Sequence, residues 1–124
     1  MWKKINPNPR GKAIGDCAVR AISAALGLSW YEAFDLLTAE AKRQADMPSA
    51  DSVWGAVLRS NGFSRHALSN YCPNCYTAAD FASDHPTGVY VLAFGGHVAC
   101  VRDGKLLDSW NSSMETPIYY YKEG

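Results

Sequence analysis

The sequence has little that would attract it to nucleic acid or to a membrane. Its formal net charge is zero, with 12 basic and 12 acidic side chains among 124 residues, so no global attraction to polyanions is expected. No apolar run is long enough to span a bilayer, and the first four residues lead into Asn-Pro-Asn-Pro rather than into the apolar stretch of a signal peptide. These absences predict a cytoplasmic protein with no nucleic-acid partner and no membrane association.

Internal repeats, low-complexity tracts and linkers are also missing, and cysteine is scarce. We therefore expect one domain over residues 1–124, which is long enough to bury one core. In a reducing compartment the four cysteines are expected to be thiols, catalysts or metal ligands rather than structural disulfides. For the pair Cys72 and Cys75 three interpretations stay open: half of a zinc site with His66 and His85, a redox dithiol, or a plain loop with two thiols. We predict no metal and no cofactor.

Helical periodicity and capping residues dominate the first half of the chain. They predict a helix from Cys17 to near Gly27, a helix from the capping box at 29–32 to about residue 45, and a helix over about 50–60 capped by Ser49. The expected apolar stripe of the second helix is Tyr31, Phe34, Leu37 and Ala41, flanked by Trp30 and Ala33. The expected buried face of the third is Val53, Trp54, Val57 and Leu58.

The second half of the chain changes to strand signals. One short helix, capped by Thr77 and ending at Ser83, lies between the first and second predicted strands. Strands are predicted over 63–68, 89–94, 97–102, 105–110 and 118–121. Asp103-Gly104 between two of them is a strong type I′ hairpin signal. Helices followed by strands predict an α+β fold in which N-terminal helices pack on a C-terminal antiparallel sheet.

Cys17 is the first candidate for chemistry, because it stands in the first turn of a predicted helix with Asp16 at the N-cap position. A helix N-terminus carries partial positive charge and free N–H groups, and both favour a thiolate. Such sites lower a cysteine pKa from about 8.5 to roughly 3.5–7.5. Taken alone, Cys17 is equally well a small buried core residue.

The predicted hairpin allows a geometric test of the second candidate, His97. A two-residue turn gives the pairs Arg102–Lys105, Ala99–Asp108 and His97–Trp110. Asp108 is then the diagonal neighbour of His97 on one face, roughly 7–8 Å away between backbones and within side-chain reach. An aspartate on one ring nitrogen fixes the tautomer and leaves the other nitrogen as a base. Cys100 points to the opposite face and is expected in the core.

Three segments carry a family resemblance: Gly15-Asp16-Cys17-Ala18, Gly96-His97-Val98 and Asp108-Ser109-Trp110-Asn111. They resemble the active-site segments of papain-like cysteine peptidases, with the C39-like branch nearest in style. Over nearly its full length the chain is also similar to small proteins of that type from bacteria and their prophages. The resemblance implies a papain-like fold in which Cys17 is the nucleophile, His97 the base and Asp108 the orienting acid.

The sequence departs from the papain pattern at the oxyanion hole. Papain-like enzymes usually have a glutamine about six residues before the cysteine, and Gly11 stands there. Asn8 or Asn6 from the preceding loop, or backbone N–H groups alone, are the alternatives. The candidate oxyanion and substrate-binding residues are Asn8, Asp16, Gly96, Trp110 and Asn111, of which Asn111 is also the alternative orienting residue. Trp30 and Trp54 are expected either as cleft walls or as core.

The function that the resemblance implies is hydrolysis of a peptide or isopeptide bond in a peptide or protein substrate, through a thioester on Cys17. The same triad also supports deamidation or transglutaminase-like transfer. A different alternative is a catalytically idle papain-like module that binds a protein, for instance a phage-encoded inhibitor of a host system. A peptidoglycan amidase is a further alternative. An oxyanion donor together with an open cleft favours an enzyme, and a cleft filled by the N-terminal loop favours the binding module or a form that awaits activation.

Overall fold

Helices cover both faces of a mixed sheet. A computed structural model describes residues 1–69 and 75–124, and within these ranges four helices pack against a six-stranded sheet. In order along the sequence the elements are β1 (Trp2–Lys4), α1 (Cys17–Leu26), α2 (Trp30–Gln44), α3 (Asp51–Ser60), β2 (Phe63–Ala67), α4 (Ala78–Asp84), β3 (Val89–Phe94), β4 (His97–Arg102), β5 (Lys105–Asp108) and β6 (Tyr119–Glu123). The predicted α+β class is confirmed.

The prediction of a purely antiparallel, C-terminal sheet is wrong at one edge. The strand order is β1-β5-β4-β3-β6-β2, and the N-terminal strand β1 runs parallel to β5. Trp2 pairs with Leu106 and Lys4 with Asp108. Beyond the strand, the Ile5 N–H donates to the carbonyl oxygen of Asp108 at 2.9 Å. The N-terminus therefore fixes the end of β5, where the candidate acid lies.

The core forms two clusters, one on each face of the sheet. Helices α1 and α3 cover one face, in one cluster with Val91 and Cys100, and α2 packs against these two helices. Helix α4 covers the other face, and its Phe81 packs against Leu92 and Val101. Every residue of β3 is buried, as its continuous apolar sequence predicts. None of the helices in the described ranges has the length and apolar character needed to cross a bilayer.

The ends of the first two helices follow their local signals. Helix α1 ends at Gly27, whose φ of 67° is the left-handed conformation that closes a helix. Helix α2 begins with the predicted capping box, in which Ser29 and Glu32 exchange hydrogen bonds. The predicted stripe of α2 is partly wrong, because Tyr31 and Phe34 are 59% and 37% exposed. The buried face is the adjacent row at spacing four: Ala33, Leu37 and Ala41.

The capping residue of α3 also differs from its prediction. Ala50 occupies the N-cap position and the helix start has no side-chain cap, so the assignment of Ser49 is wrong. The first turn instead carries Asp51, whose carboxylate accepts a hydrogen bond from the Trp54 indole at 3.1 Å. The predicted buried face of α3 is confirmed. At α4, Thr77 and Asp80 form a capping box.

The β4–β5 hairpin has the predicted turn and the predicted starting register. Asp103 and Gly104 both have positive φ, 50° and 78°, as a type I′ turn requires. Arg102 pairs with Lys105, and the ladder continues to Cys100 and Leu107. Strand β5 ends at Asp108, two residues earlier than predicted, and the two further predicted pairs are not part of the ladder. The polypeptide leaves the hairpin at Asp108, which pairs with Lys4 of β1.

Candidate active site

Cys17 is the first residue of α1 and lies half-buried at the mouth of a cleft. Its sulfur lies beside the His97 imidazole and the backbone N–H of Val98, both of which lower the pKa of the thiol. Asp16 occupies the predicted N-cap position, but its side chain makes no cap hydrogen bond. It accepts instead from Arg20 and from the Trp30 indole nitrogen, the latter at 2.9 Å. The N–H groups of the first turn are therefore left uncovered by that carboxylate.

The structure brings His97 and Asp108 together with Cys17. His97 Nε2 lies 2.6 Å from Asp108 Oδ2. Because Nε2 is occupied by the carboxylate, Nδ1 is the ring nitrogen left to face the sulfur. The Trp110 ring lies against the imidazole, with 4.9 Å between ring centroids, and is 44% exposed. Of these contacts, the one between His97 and Asp108 is the contact that the hairpin register predicts.

Asp108 is held in place by more than the histidine. It is 2% exposed, and its Oδ2 also accepts from the Ser112 hydroxyl at 2.6 Å. Its Oδ1 accepts from the Ser109 N–H at 2.8 Å and lies 3.7 Å from Arg20 Nη2. Burial raises the pKa of Asp108, but the hydrogen bonds from His97, Ser112 and Ser109 outweigh it and hold the pKa below its usual value. The carboxylate is therefore charged at neutral pH.

The pKa values of Cys17 and His97 move in opposite directions. Burial raises the pKa of Cys17, but hydrogen bonds from His97 and Val98 and the charges of His97 and Arg20 bring it below its usual value. Burial lowers the pKa of His97, but its hydrogen bonds to Asp108 and Cys17 raise it to about 9. A lowered thiol pKa beside a raised imidazole pKa favours transfer of the Cys17 proton to His97, which gives a thiolate–imidazolium pair.

Two buried residues of the site are missing from the sequence prediction. Arg20 pairs with Asp16 through Nη1 and reaches Asp108 through Nη2, so it joins the start of α1 to the end of β5. A signal for it exists, because it is the one charged residue in an apolar stretch and stands four positions after Asp16. Ser112 has no such signal, since its contact depends on the path of the backbone after β5.

An open groove runs past Cys17 and His97. On one side lies a cleft of about 620 Å³, lined by Lys4, Asn6, Gly11, Lys12, Ala13, Ile14, Gly15, Cys17, Arg20, Gly96, His97, Ser109 and Trp110. On the other side lies a cleft of about 300 Å³, lined by Gly15, Cys17, Ser49, Asp51, Trp54, Gly96, His97 and Val98. The two clefts share Cys17 and His97. The N-terminal loop contributes a wall of the larger cleft and leaves it open.

The predicted aromatic walls separate into three roles. Trp110 lines the larger cleft and Trp54 the smaller one, although Trp54 is otherwise buried in the core. Trp30 lines neither cleft, and its indole nitrogen is bonded to Asp16. Gly96 lines both clefts, as predicted for a substrate-binding position.

Two predicted asparagines do not reach the sulfur. Asn8 is buried, and its Oδ1 accepts from the N–H groups of Arg10 and Lys12, which closes its own loop. It does not line either cleft beside Cys17. Asn111 is exposed, and its Oδ1 accepts from the Ser113 N–H rather than orienting His97. Both residues are engaged in local turns, so the predicted oxyanion and orienting roles are not supported by their positions.

The other cysteines and histidines that the structure describes lie outside this site. Cys100 is buried in the core as predicted, and burial raises the pKa of its thiol to about 12. Cys75 is disulfide-bonded, which corrects the expectation of free thiols, and Cys72 lies outside the described residues. His66 stacks on Tyr120 and His85 on Phe81. Over residues 1–69 and 75–124 no three metal-ligating side chains come together.

Comparisons of the sequence and structure with protein-family models, with curated proteins and with solved structures found no match. The chemistry of the site therefore follows from its own geometry.

Proposed function

We propose that the protein is a papain-like cysteine peptidase that cleaves a peptide or isopeptide bond. The observation that carries the proposal is the series of Cys17, His97 and Asp108 beside an open groove, in which His97 lies next to the sulfur and 2.6 Å from the carboxylate. Each pKa is shifted in the direction that the chemistry needs, since the thiol pKa is lowered, the imidazole pKa is raised and the carboxyl pKa is lowered.

In the first half of the reaction the Cys17 thiolate attacks the substrate carbonyl carbon. A sulfur–carbon bond forms, and the carbonyl electrons move to the oxygen. The N–H groups at the start of α1, which Asp16 leaves uncovered, would serve as donors to that oxyanion. The His97 imidazolium then donates its proton to the leaving amine, the carbon–nitrogen bond breaks, and a thioester and a neutral imidazole remain.

In the second half water resolves the thioester. The neutral His97 accepts a proton from water while the hydroxide oxygen bonds to the acyl carbon. The sulfur–carbon bond breaks, the carboxylic acid leaves, and the thiolate–imidazolium pair is restored. Asp108 stabilises the imidazolium in both halves, because it stays ionised and accepts the hydrogen bond from Nε2.

Deamidation and amine transfer share every step as far as the thioester, and differ only in the amide attacked or the acceptor. Identification of the products separates them from peptide hydrolysis. The open groove argues against the catalytically idle alternative, because the loop that precedes Cys17 lines the wall of the cleft without filling it.

The test is turnover of a peptide library, read by mass spectrometry of the products. We expect Cys17→Ala and His97→Ala to abolish turnover without unfolding the protein, and Asp108→Asn to lower the rate and leave residual activity. His66→Ala is the matched control, because this exposed histidine lies on β2 at the far edge of the sheet. Full activity in Cys17→Ala would show that the nucleophile is assigned wrongly.

A further inference from the structure

The two sides of the groove carry opposite charges. We call the larger cleft, lined by Lys4 and Lys12, the basic arm, and the smaller one, lined by Asp51, the acidic arm. Among the described residues that line the basic arm there is no carboxylate, and among those that line the acidic arm there is no lysine or arginine. Because the net charge of the protein is zero, this is a local separation of positive and negative charge along the groove.

The charges of the basic arm are not neutralised by the protein itself. Within residues 1–69 and 75–124 the ion pairs join Arg20, Arg43 and His97 to carboxylates, and neither lysine of the basic arm takes part. Both lysines are exposed. Arg20 also lines this arm, but it is buried and paired with Asp16. Two free ammonium groups therefore face the groove.

The backbone of both lysines is anchored, so their positions relative to the sulfur are set by the fold. Lys4 pairs with Asp108 in the β1–β5 ladder. The Lys12 N–H donates to Asn8 Oδ1, and its carbonyl oxygen accepts from Asn6 Nδ2 at 3.3 Å. Lys4 is thus fixed next to the orienting acid, and Lys12 is fixed in the loop that leads to Cys17.

The wall of the basic arm also exposes main chain. A Cβ atom added at Gly11, Gly15 or Gly96 would meet no atom within 4 Å, so at these positions only backbone faces open space. Bare backbone permits the close approach of an extended peptide. The arm therefore combines main-chain surface with two cations.

We propose that the basic arm binds a carboxylate of the substrate peptide, next to the bond that Cys17 attacks. The carboxylate belongs to an aspartate or glutamate residue or to the carboxyl terminus of the peptide, because the ammonium groups recognise the shared chemistry of both. Asp51 in the opposite arm repels the same group and so sets the direction in which an acidic peptide lies. This inference rests on the proposed function and names its substrate class.

The test uses iodoacetyl peptides, which alkylate Cys17 without requiring turnover. Four probes are compared: iodoacetyl-Gly-Glu-Glu-amide, the Gln-Gln amide, the Lys-Lys amide, and the Gln-Gln peptide with a free C-terminus. Rates are read at Cys17 by mass spectrometry, with the buried Cys100 as internal control. At a distance of roughly 6–8 Å in water, each ammonium group should raise the alkylation rate of a carboxylate probe about two- to threefold. The two groups together should make the acidic probe about 5–10 times faster than the neutral probe at low salt. The ratio should fall when salt is added.

Charge-removing variants locate the effect. We expect the double variant Lys4→Gln/Lys12→Gln to bring the acidic to neutral ratio close to one. Lys3→Gln is the matched control, because it lies on the same exposed strand and does not line the groove. It should keep the wild-type ratio. Thermal unfolding of each variant checks that the fold is retained, and Lys12→Gln alone serves if the strand variant is unstable.

The outcomes separate this inference from the proposed function. Equal rates for the acidic and neutral probes at a fast-reacting Cys17 would overturn the carboxylate assignment alone, as would a preference that survives in the double variant. Slow alkylation of Cys17 by uncharged iodoacetamide at neutral pH would overturn the proposed function. A faster reaction of the Glu-Glu amide than of the Gln-Gln amide supports recognition of acidic residues. If only the Gln-Gln peptide with a free C-terminus reacts faster, the result supports recognition of a C-terminal carboxylate.

Discussion

Asp108→Asn tests how much of the site's electrostatics comes from one buried carboxylate. The substitution keeps the shape of the residue and removes the charge that lies 2.6 Å from His97 Nε2. A hydrogen bond to a charged group contributes about 1.5–3 kcal/mol, and about 1.4 kcal/mol corresponds to one pKa unit. The pKa of His97 should therefore fall from about 9 to roughly 7–8. At pH 8 the imidazolium fraction would drop from about nine-tenths to half or less.

The assay is an NMR titration of the ring Cε1–H signals, in which His66 and His85 are internal controls among three histidines. Ser112→Ala is the matched control variant, because it removes a 2.6 Å hydrogen bond from the same oxygen and leaves the charge in place. It should change the pKa of His97 by less than Asp108→Asn does, because the charge beside the imidazole remains. A His97 pKa that stays near 9 in Asp108→Asn would refute the assignment of Asp108 as its electrostatic partner.

Three further predictions concern stability. Arg20→Met should lower the free energy of unfolding by about 3–5 kcal/mol, because it removes the buried cation that pairs with Asp16 and lies 3.7 Å from Asp108. In a Cys17→Ala background the free energy of unfolding should fall by about 1–3 kcal/mol as pH rises from about 6.5 to 9. The reason is that the protonated His97 stabilises the folded state, because its pKa is higher there than in the unfolded chain, and this stabilisation is lost when His97 loses its proton. Gly55→Ala should cost about 1–2 kcal/mol, because the added Cβ lies 2.6 Å from the buried Tyr121 hydroxyl and the clash exceeds the gain in helix propensity.

Denaturant titrations check these three values, each against a control. Arg59→Met removes an arginine that contacts a tyrosine hydroxyl rather than a carboxylate, and should cost less than Arg20→Met. Adding Asp108→Asn to the Cys17→Ala background should flatten the pH dependence, and an unchanged slope would contradict its assignment to His97. The Cβ atom added by Gly95→Ala meets no atom within 4 Å, so this variant should leave the free energy of unfolding nearly unchanged. A cost for Gly95→Ala equal to that for Gly55→Ala would exclude the clash.

The parts of the fold that were predicted correctly depend on short-range signals. The left-handed Gly27, the capping box of α2 and the Asp103–Gly104 turn each need only a few neighbouring residues. The turn also fixes a register, and the register is what placed Asp108 within reach of His97. For that reason a hairpin that is local in sequence predicted the most important contact of the site.

The parts that were missed depend on tertiary partners. Strand β1 is three residues long, and its pairing with β5 spans about 100 positions, so no local pattern reveals it. In α2, helical spacing identifies neighbouring apolar rows but not the row that α1 and α3 cover. For this reason the spacing predicts Tyr31 in the apolar stripe, whereas its side chain is exposed. Asp16 was placed correctly at the N-cap, yet its carboxylate turns to Arg20 and Trp30, and only the packed structure shows this.

The most direct test of the catalytic assignment is the pH dependence of iodoacetamide alkylation at Cys17, compared in wild type and His97→Ala. Mass spectrometry reads each cysteine separately, and the buried Cys100 should stay unreactive in both proteins. We expect Cys17 to react fast well below pH 8 and to lose this reactivity in His97→Ala, because the imidazolium holds the thiolate. If Cys17 reacts as an ordinary thiol, or reacts equally fast without His97, the thiolate–imidazolium pair does not exist and the catalytic assignment is wrong.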